Sequence, residues 1–154
     1  MDAIDLRLIT LLQKNARMPL KSLAAEVYLS SPATAARIER LEREGIILGY
    51  SARLDLKKID LPITAFINLD LDPKQKPTFY PFIRSYPNVL ECNCVTGRYS
   101  QLIKVAFEST EALDTFVGEL NAFGHTETQI AFSSPQPARE AGIEAIYSKK
   151  NPNG

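Results

Sequence analysis

The sequence has few of the residues on which disulfide and soft-metal chemistry depends. Its 154 residues include two cysteines, one histidine and no tryptophan. Cys92 and Cys94 are two positions apart, a poor spacing for a bridge between them and too few thiols for a disulfide framework. Together with His125 they supply too few soft ligands for a tetrahedral zinc site. We therefore expect a reduced protein that has no metal site and no cofactor.

The sequence also lacks a long apolar run. No segment approaches the roughly 18 apolar residues that a membrane span needs. The first residues carry Asp2 and Asp5, whereas a signal peptide would begin with basic residues. We therefore expect a cytoplasmic protein with no membrane association. Hydrophobic residues make up 45% and charged residues 23%, which is ordinary for a globular chain and too apolar for a disordered one.

The net charge is zero, but the charges are not distributed evenly. Residues 1–54 carry 8 basic and 6 acidic side chains, a net charge of +2, and the remainder carries 10 and 12, a net charge of −2. The difference is small. Its sign is the one expected if the first part of the chain meets a polyanion.

The first part of the chain predicts three helices. Apolar residues recur at helical spacing over residues 2–14, and Asp2 is placed to cap the first turn of this helix. A second, short apolar stripe covers residues 20–27. Ser30 or Ser31 can cap a third helix that ends at Glu44, before Gly45.

Three short helices with a tight turn between the second and third are typical of a helix-turn-helix, whose last helix lies in the major groove of DNA. Thr34, Ile38 and Leu41 form the inward stripe of this helix. The opposite face begins with small residues and becomes basic, which suits base edges first and phosphates afterwards. The predicted DNA-binding residues are Ser31, Pro32, Ala33, Ala36, Arg37, Arg40 and Arg43. The alternative is a solvated amphipathic helix, because acidic and basic residues alternate along its second half.

Residues 46–54 are largely apolar and follow a glycine, so they predict a strand that serves as a wing or as a strap to the next domain. Residues 55–62 are predicted to be a hinge. The predicted domains are therefore a DNA-binding domain over residues 1–54 and a second domain over residues 63–147, followed by a frayed tail at residues 148–154.

The second domain predicts an α+β fold with the order βαββαβ. Alternating residues predict strands at 63–71, 89–96, 102–107 and 126–132, and helical spacing predicts a helix at 79–86 capped by Thr78. Ser109 caps a second helix, which Gly124 ends. This order is that of the ferredoxin-like fold, an antiparallel sheet with both helices on one face.

The sheet face without helices is expected to be covered by a second copy of the chain. We assign Ile67, Leu69, Val95 and Ile103 to this face, which would make it too apolar to remain in water. A two-fold dimer would also present two helix-turn-helix units to DNA at a fixed spacing.

The sequence resembles the Lrp/AsnC family, the feast/famine transcription regulators, over essentially its whole length. The matching stretches are LQKNAR at residues 12–17, SLAAEVYLS at 22–30, RIERLEREGIILGYSARLD at 37–55 and VLECNCVTGRYSQLIKV at 89–105. The resemblance implies a winged helix-turn-helix joined to a ligand-sensing domain, called RAM. It also implies dimers, often assembled into octamers, with an amino acid commonly bound between subunits.

One turn departs from the family pattern. The family usually has Gly-Asp-Tyr-Asp where this chain has Gly97, Arg98, Tyr99 and Ser100, so two carboxylates beside the implied effector pocket are missing. Arg98 can attract an acid through its donor fork, or it can be an exposed turn residue without a ligand role. The predicted effector is an amino acid or related carboxylate. Its predicted contacts are Thr96, Gly97, Arg98, Tyr99, Ser100, Thr126 and Thr128.

The two cysteines, the histidine and the C-terminal residues are each expected to have a structural role. Cys92 and Cys94 share a strand face and are expected to be small buried residues. His125 is interpreted as a helix-end residue, with a pocket role as the alternative. Residues 133–154 begin with two prolines that favour an extended entry, after which residues 138–147 are predicted to form a helix or an edge strand.

Two other functions compete with a DNA-binding regulator. Sirohaem decarboxylases resemble the same two-domain plan, but their chemistry calls for several basic or histidine groups around a tetrapyrrole carboxylate, and this chain has one histidine. The other alternative is an amino-acid-binding regulatory protein that does not bind DNA. The sequence favours the regulator that binds double-stranded DNA and has no enzymatic activity.

Overall fold

The computed structural model describes residues 1–136, 138, 141–143 and 146–147. They form two compact units. The first is Met1–Arg53, to which the described residues from Ala138 onward also belong, and the second is Leu54–Gln136. Ile143, Ile146 and Tyr147 are helical. The other residues predicted around them and the predicted tail at 148–154 lie mainly outside the described residues.

The first unit contains the three predicted helices: α1 (Ala3–Lys14), α2 (Leu20–Glu26) and α3 (Ser31–Arg43). Asp2 caps α1 in a reciprocal capping box with Asp5, and Ser30 caps α3 by accepting a hydrogen bond from the Ala33 N–H at 3.3 Å. The helices enclose an apolar core made of Leu8, Leu11, Leu12, Leu23 and Val27. The predicted helix positions are confirmed to within a few residues at each end.

The turn between α2 and α3 has an unusual residue at its centre. Tyr28 has a φ of +56° and is 95% exposed. This left-handed region of backbone conformation favours glycine, because other side chains crowd the following carbonyl oxygen there. The N–H of the next residue, Leu29, donates a hydrogen bond to the Ala24 carbonyl at 3.0 Å, which closes the turn.

The predicted strand at residues 46–54 is not observed. A strand requires a hydrogen-bonded neighbour, and the described part of the chain pairs none with this segment. Ile47 packs against the core of the first unit, whereas Leu48 is 93% exposed. The apolar residues of this segment are therefore divided between the helical core and the solvent.

The second unit has the predicted order, with strands β1 (Ile63–Leu71), β2 (Val89–Cys94), β3 (Gln101–Phe107) and β4 (Gly124–Ile130). Helix α4 (Lys76–Ser85) follows β1 and helix α5 (Thr110–Leu120) follows β3, with short 3-10 turns at Leu56–Ile59 and Pro73–Gln75. The sheet is antiparallel with the strand order β2-β3-β1-β4. The α+β fold class is confirmed. None of the helices among the described residues is long and apolar enough to cross a membrane.

Two predicted helix ends in this unit are wrong. Thr78 does not cap α4, because the helix begins at Lys76 and the Thr78 hydroxyl donates to the Gln75 carbonyl at 2.9 Å. Pro81 consequently lies inside the helix, where it has no N–H to donate. At the other helix, α5 ends at Leu120, and Gly124 instead begins β4.

The prediction of the residues on the open face of the sheet is wrong, because three of the four lie on the face that the helices cover. Ile67, Leu69 and Ile103 are completely buried in the core with Phe79 of α4 and Phe116 of α5. Both alternating sets of strand residues contain apolar side chains, so the period of two could not decide which set faces the helices. Val95 was also assigned to the open face, and it lies beyond the end of β2.

The other face carries the intervening residues of each strand. At its centre lie the partly buried Phe66 and Leu102 and the buried Ala106. The Lys104 ammonium lies 5.9 Å from the centre of the Phe66 ring. This open face is therefore less apolar than predicted.

The cysteines and the histidine also differ from their predicted placement. Cys94 is exposed and Cys92 is half-buried, because β2 is an edge strand that pairs with β3 alone among the described strands. His125 is an exposed residue of β4 and does not end a helix.

Candidate nucleic-acid interface and effector site

Helix α3 exposes a face of small residues at its start. Thr34 and Leu41 are completely buried and hold the opposite side of the helix against the core, and Ile38 packs beside them. Pro32, Ala33 and Ala36 are exposed, and Ser31 is half-exposed. A helix whose outer side has no bulky residue can approach a flat or grooved surface closely.

Two of the predicted DNA-binding arginines are held by carboxylates of α1. Arg37 Nη1 donates to Asp2 Oδ2 at 2.7 Å and to Asp5 Oδ1 at 2.8 Å, and Arg40 Nη2 donates to Asp5 Oδ2 at 2.7 Å. Asp5 is 1% exposed, whereas the side chains of Arg37 and Arg40 are 28% and 34% exposed. We call these four residues the arginine clamp. It joins the start of α1 to the middle of α3.

The clamp keeps Asp5 ionised despite its burial. Burial by itself raises the pKa of Asp5, but hydrogen bonds from Arg40, from the Asp2 backbone N–H and from Arg37 outweigh it and leave the pKa below its ordinary value. The carboxylates in turn raise the pKa of both arginines, mainly through the hydrogen bonds that Arg37 donates to Asp2 and Arg40 donates to Asp5. Two positive and two negative charges therefore lie together, and they compensate each other.

The structure reduces the basic surface that the sequence predicted on α3. Arg37 and Arg40 were expected to be free for DNA, and they are engaged in the clamp with Asp2 and Asp5. Arg43 is exposed, and the structure gives it no ion-pair partner among the described residues. Sequence reasoning assigned Asp2 a capping role and missed Asp5. The available signal was the pair of acidic residues at the start of α1 and a pair of arginines at helical spacing on α3.

The predicted effector turn is anchored to the end of β1. The Val95 N–H donates to the Ser100 carbonyl at 3.0 Å and closes the turn, and Gly97 has a φ of +115°, which suits glycine. The Ser100 N–H donates to the Leu69 carbonyl at 3.1 Å, and the Ser100 hydroxyl oxygen accepts from the Leu71 N–H at 3.1 Å. These bonds fix the position of the turn against the sheet.

Tyr99 joins this turn to the start of β4. Its hydroxyl donates to Glu127 Oε2 at 2.8 Å, and its ring stacks with the His125 ring at a centroid distance of 6.4 Å. The Arg98 guanidinium lies 5.3 Å from the centre of the Tyr99 ring. A cation, two aromatic rings and a carboxylate thus lie close together on one side of the sheet.

Thr126 and Thr128, the two predicted contacts on β4, are on the other side of the strand. They pair with Leu69 and Ile67, whose side chains are in the core, and the Thr126 hydroxyl donates to Asn121 Oδ1 at 2.9 Å. The structure therefore brings His125 and Glu127 to the turn in their place. Thr96 is exposed within the turn.

Glu127 supplies a carboxylate beside the turn at residues 97–100, where the two aspartates usual in the family are absent. The hydrogen bond from Tyr99 lowers the pKa of Glu127 below its ordinary value, and the same bond raises the pKa of Tyr99. Sequence reasoning missed this residue. The alternation of the last strand carried the signal, because one of its two sets of residues had to face the turn. Among the described residues no three metal-ligating side chains are grouped to hold an ion.

Comparisons with known proteins agree with this two-part arrangement. Residues 1–42 match the model of the AsnC-type helix-turn-helix domain, and residues 64–141 match the model of the Lrp/AsnC ligand binding domain. The HTH-type transcriptional regulator YezC of Bacillus subtilis is 38% identical over 87% of this chain and 95% of its own length.

Solved structures show the same fold. The structure of LrpC of Bacillus subtilis has a TM-score of 0.85 at 29% identity, covering 90% of this chain and 99% of that one. A transcriptional regulator of Neisseria meningitidis, solved as a complex with L-methionine, has a TM-score of 0.88 at 23% identity, covering 95% and 99% of the two chains. These relatives are transcriptional regulators and lend no support to the enzyme alternative. The chain belongs to the Lrp/AsnC family and is a DNA-binding transcriptional regulator with a ligand-binding domain.

Proposed function

We propose that this regulator acts in the cytoplasm and reads specific DNA sequences through the first half of α3. We propose further that its second unit binds a small molecule, an amino acid or a related carboxylate. The observation that carries the DNA proposal is the exposed face of small residues on α3. Ser31, Pro32, Ala33 and Ala36 let the helix backbone come near base edges, and Arg43 supplies a charge for a phosphate one or two turns further along.

Arg37 and Arg40 have a different role in this proposal from the one predicted for Arg43. Their guanidinium groups already donate to Asp2 and Asp5, so their first function is to hold the recognition helix at a fixed angle to α1. Each arginine still has N–H groups beyond those used in the clamp, and these can donate to a phosphate. An effect of either arginine on DNA affinity is therefore expected together with an effect on folding.

Replacing Arg43 with alanine is expected to weaken binding to the operator and to reduce the slope of log affinity against log salt concentration by about one, the change for one lost phosphate contact. Gel retardation or fluorescence anisotropy over a salt series measures both quantities. Lys74→Ala, an exposed lysine of the second unit, is the matched control and should leave the slope unchanged. A variant whose affinity and salt slope both equal those of the parent would contradict the placement of Arg43 at the DNA.

The effector proposal rests on the charges around Tyr99. The Arg98 guanidinium can donate to a ligand carboxylate, and the Glu127 carboxylate can accept from the ammonium group of an α-amino acid. The Tyr99 and His125 rings provide an apolar wall between them. Residues 64–141 match a ligand binding domain, and one solved structure with the same fold is a complex with L-methionine, which supports an amino-acid ligand.

A thermal-shift screen of amino acids and their 2-oxo acids tests the effector proposal. A ligand that binds only the folded protein stabilises it by roughly 2.7 kcal/mol at a hundredfold excess over Kd. We expect Arg98→Ala to abolish the shift from either class of ligand and Glu127→Gln to abolish the shift from amino acids alone. Arg84→Ala is the charge-matched control. An Arg98→Ala protein that responds as strongly as its parent would exclude Arg98 from the site.

We also propose that the open sheet face pairs with a second copy of the chain, and the family resemblance adds larger even-numbered assemblies such as octamers. Phe66 and Leu102 are partly exposed apolar side chains of this face. Phe66→Glu would place a charge beside Leu102 and is expected to shift the full-length protein toward the monomer in light scattering at micromolar concentration. Lys74→Glu is the control. A Phe66→Glu protein with the molar mass of its parent would be incompatible with this interface.

A further inference from the structure

A cluster of two thiols, one amide and one phenol lies on the second unit, on the strands that flank the turn at residues 97–100. Cys92 and Cys94 are on the same face of the edge strand β2, opposite Ile103 and Gln101 of β3. Tyr80 of α4 reaches this face, with its hydroxyl oxygen 3.7 Å from Cys94 Sγ. The cluster lies on the side of the sheet where the helices pack. A second copy that pairs with the opposite, open face would therefore not cover Cys94, which is exposed.

Gln101 is the centre of the cluster. It is 2% exposed, and its Oε1 lies 3.6 Å from Cys92 Sγ and 3.6 Å from Cys94 Sγ. Its Nε2 donates to Cys94 Sγ at 3.3 Å. A neutral thiol is a weak acceptor, whereas a thiolate accepts strong hydrogen bonds from an amide N–H and a phenol O–H. The amide oxygen can accept from either thiol when that thiol is protonated, and the amide N–H donates to the sulfur of Cys94.

The surroundings distinguish the two thiols. The hydrogen bonds from Gln101 and from Tyr80, with the nearby charge of Lys76, lower the pKa of Cys94 below the ordinary thiol value. Burial raises the pKa of Cys92, and so does the proximity of Cys94. Cys94 is also the exposed thiol of the pair. The exposed thiol of Cys94 therefore ionises more readily than an ordinary cysteine, and it lies next to a partly covered thiol that ionises less readily.

We propose that Cys94 is a redox modification site, at which a hydroperoxide oxidises the thiolate to a sulfenic acid. The sulfur attacks the outer oxygen of the hydroperoxide, the O–O bond breaks, and the leaving alkoxide or hydroxide takes a proton from water. The sulfur loses two electrons, which the hydroperoxide gains. Tyr80 and Gln101 can donate hydrogen bonds to the sulfenate oxygen, as they do to the sulfur.

The sulfenic acid is expected to persist because Cys92 cannot resolve it within the folded strand. Residues two apart in a strand are about 6.6 Å apart along the chain, and a disulfide requires Cβ atoms about 3.8 Å apart, so bridging would need β2 to leave the sheet. Gln101 begins β3 directly after the turn at residues 97–100, so the modification occurs at the base of that turn.

The test is chemical labelling of the reduced full-length protein. After treatment with hydrogen peroxide, dimedone should label the parent and Cys92→Ser but not Cys94→Ser, as read by mass spectrometry. With iodoacetamide at pH 7, Cys94 should react at least about tenfold faster than Cys92, because the thiolate is the nucleophile. Equal rates at the two thiols, or dimedone labelling of Cys94→Ser at the parent's level, would overturn the proposal.

A conservative variant tests whether Cys94 reacts faster because hydrogen bonds stabilise its thiolate or only because it is exposed. Tyr80→Phe removes the phenol O–H and keeps the ring, so the midpoint of the pH profile of Cys94 alkylation should move upward while the circular dichroism spectrum stays unchanged. Tyr86→Phe removes a hydroxyl that donates to Glu119 of α5 from the residue that caps the C-terminus of α4. It is the matched control and should leave the midpoint in place. If Tyr80→Phe and Tyr86→Phe give the parent's midpoint, the cluster does not activate Cys94.

Discussion

Replacing Asp5 with alanine is expected to lower the free energy of unfolding by about 3 kcal/mol, near the lower end of the range for breaking a buried ion pair. The carboxylate is 1% exposed and accepts from both Arg37 and Arg40, and these arginines can recover part of the loss because about a third of each side chain remains hydrated. Urea unfolding followed by circular dichroism measures the change.

Asp2→Ala is the matched control for Asp5. It removes the other carboxylate of the clamp and the cap of α1, but its side chain is 54% exposed, so the expected loss is about 1 kcal/mol, the usual value for an N-cap. Comparable losses for the two variants would show that helix capping, and not the buried charge, stabilises this end of the first unit.

The clamp also predicts a pH dependence. Because the folded-state pKa of Asp5 is below its ordinary value, the ionised clamp stabilises the folded state above about pH 4 and loses this contribution as the pH falls further, toward the folded-state pKa. Asp5→Asn cannot titrate, so its stability should fall less steeply below pH 4. Parallel curves for the parent and this variant in acid would contradict the assignment.

Gly124→Ala is expected to lower the free energy of unfolding by about 3 kcal/mol, which is the upper end of the usual range for adding a methyl group to a fully packed site. A Cβ at this position would lie 1.9 Å from the Asp70 carbonyl oxygen and 2.9 Å from its carbonyl carbon. Gly124 also has a φ of +156° and pairs with Leu71 at the start of β4. Both neighbouring atoms belong to the backbone, so the clash can be relieved only by separating β4 from β1.

Gly118→Ala provides the control for this glycine. Gly118 lies within α5 and has nothing within 4 Å of a new Cβ, so alanine is expected to stabilise the protein by about 0.5 to 1 kcal/mol through helix propensity. Thermal unfolding of both variants should show shifts of opposite sign. Because His125 and Glu127 follow Gly124, the Gly124→Ala protein should also lose its response to the effector. A stable Gly124→Ala protein with that response intact would contradict the close contact.

The sequence by itself determined the three helices of the first unit and the order of the strands and helices of the second. The caps at Asp2, Ser30 and Ser109 are local interactions, formed between residues three apart, so a pattern of residue types predicts them well. The periods of the strands and helices led to the βαββαβ order for the same reason. The exposed small face of α3 followed from the positions of Thr34 and Leu41 on the opposite side of the helix.

The tertiary structure decided which partner each of these surfaces meets. Arg37 lies 35 residues from Asp2, and no local pattern shows that two long, flexible side chains will turn toward α1. Strand alternation likewise divides the side chains of β4 between the two faces of the sheet, but it does not decide which set faces the helices. Packing against α5 places Thr126 beside Asn121, so that Glu127 lies on the other face, where it accepts from Tyr99. Residues 46–54 have the composition of a strand, but a strand forms only where another chain segment supplies its hydrogen bonds. Composition and periodicity are properties of a segment, whereas the pairing of charges and faces depends on the distances between segments, which the folded chain alone establishes.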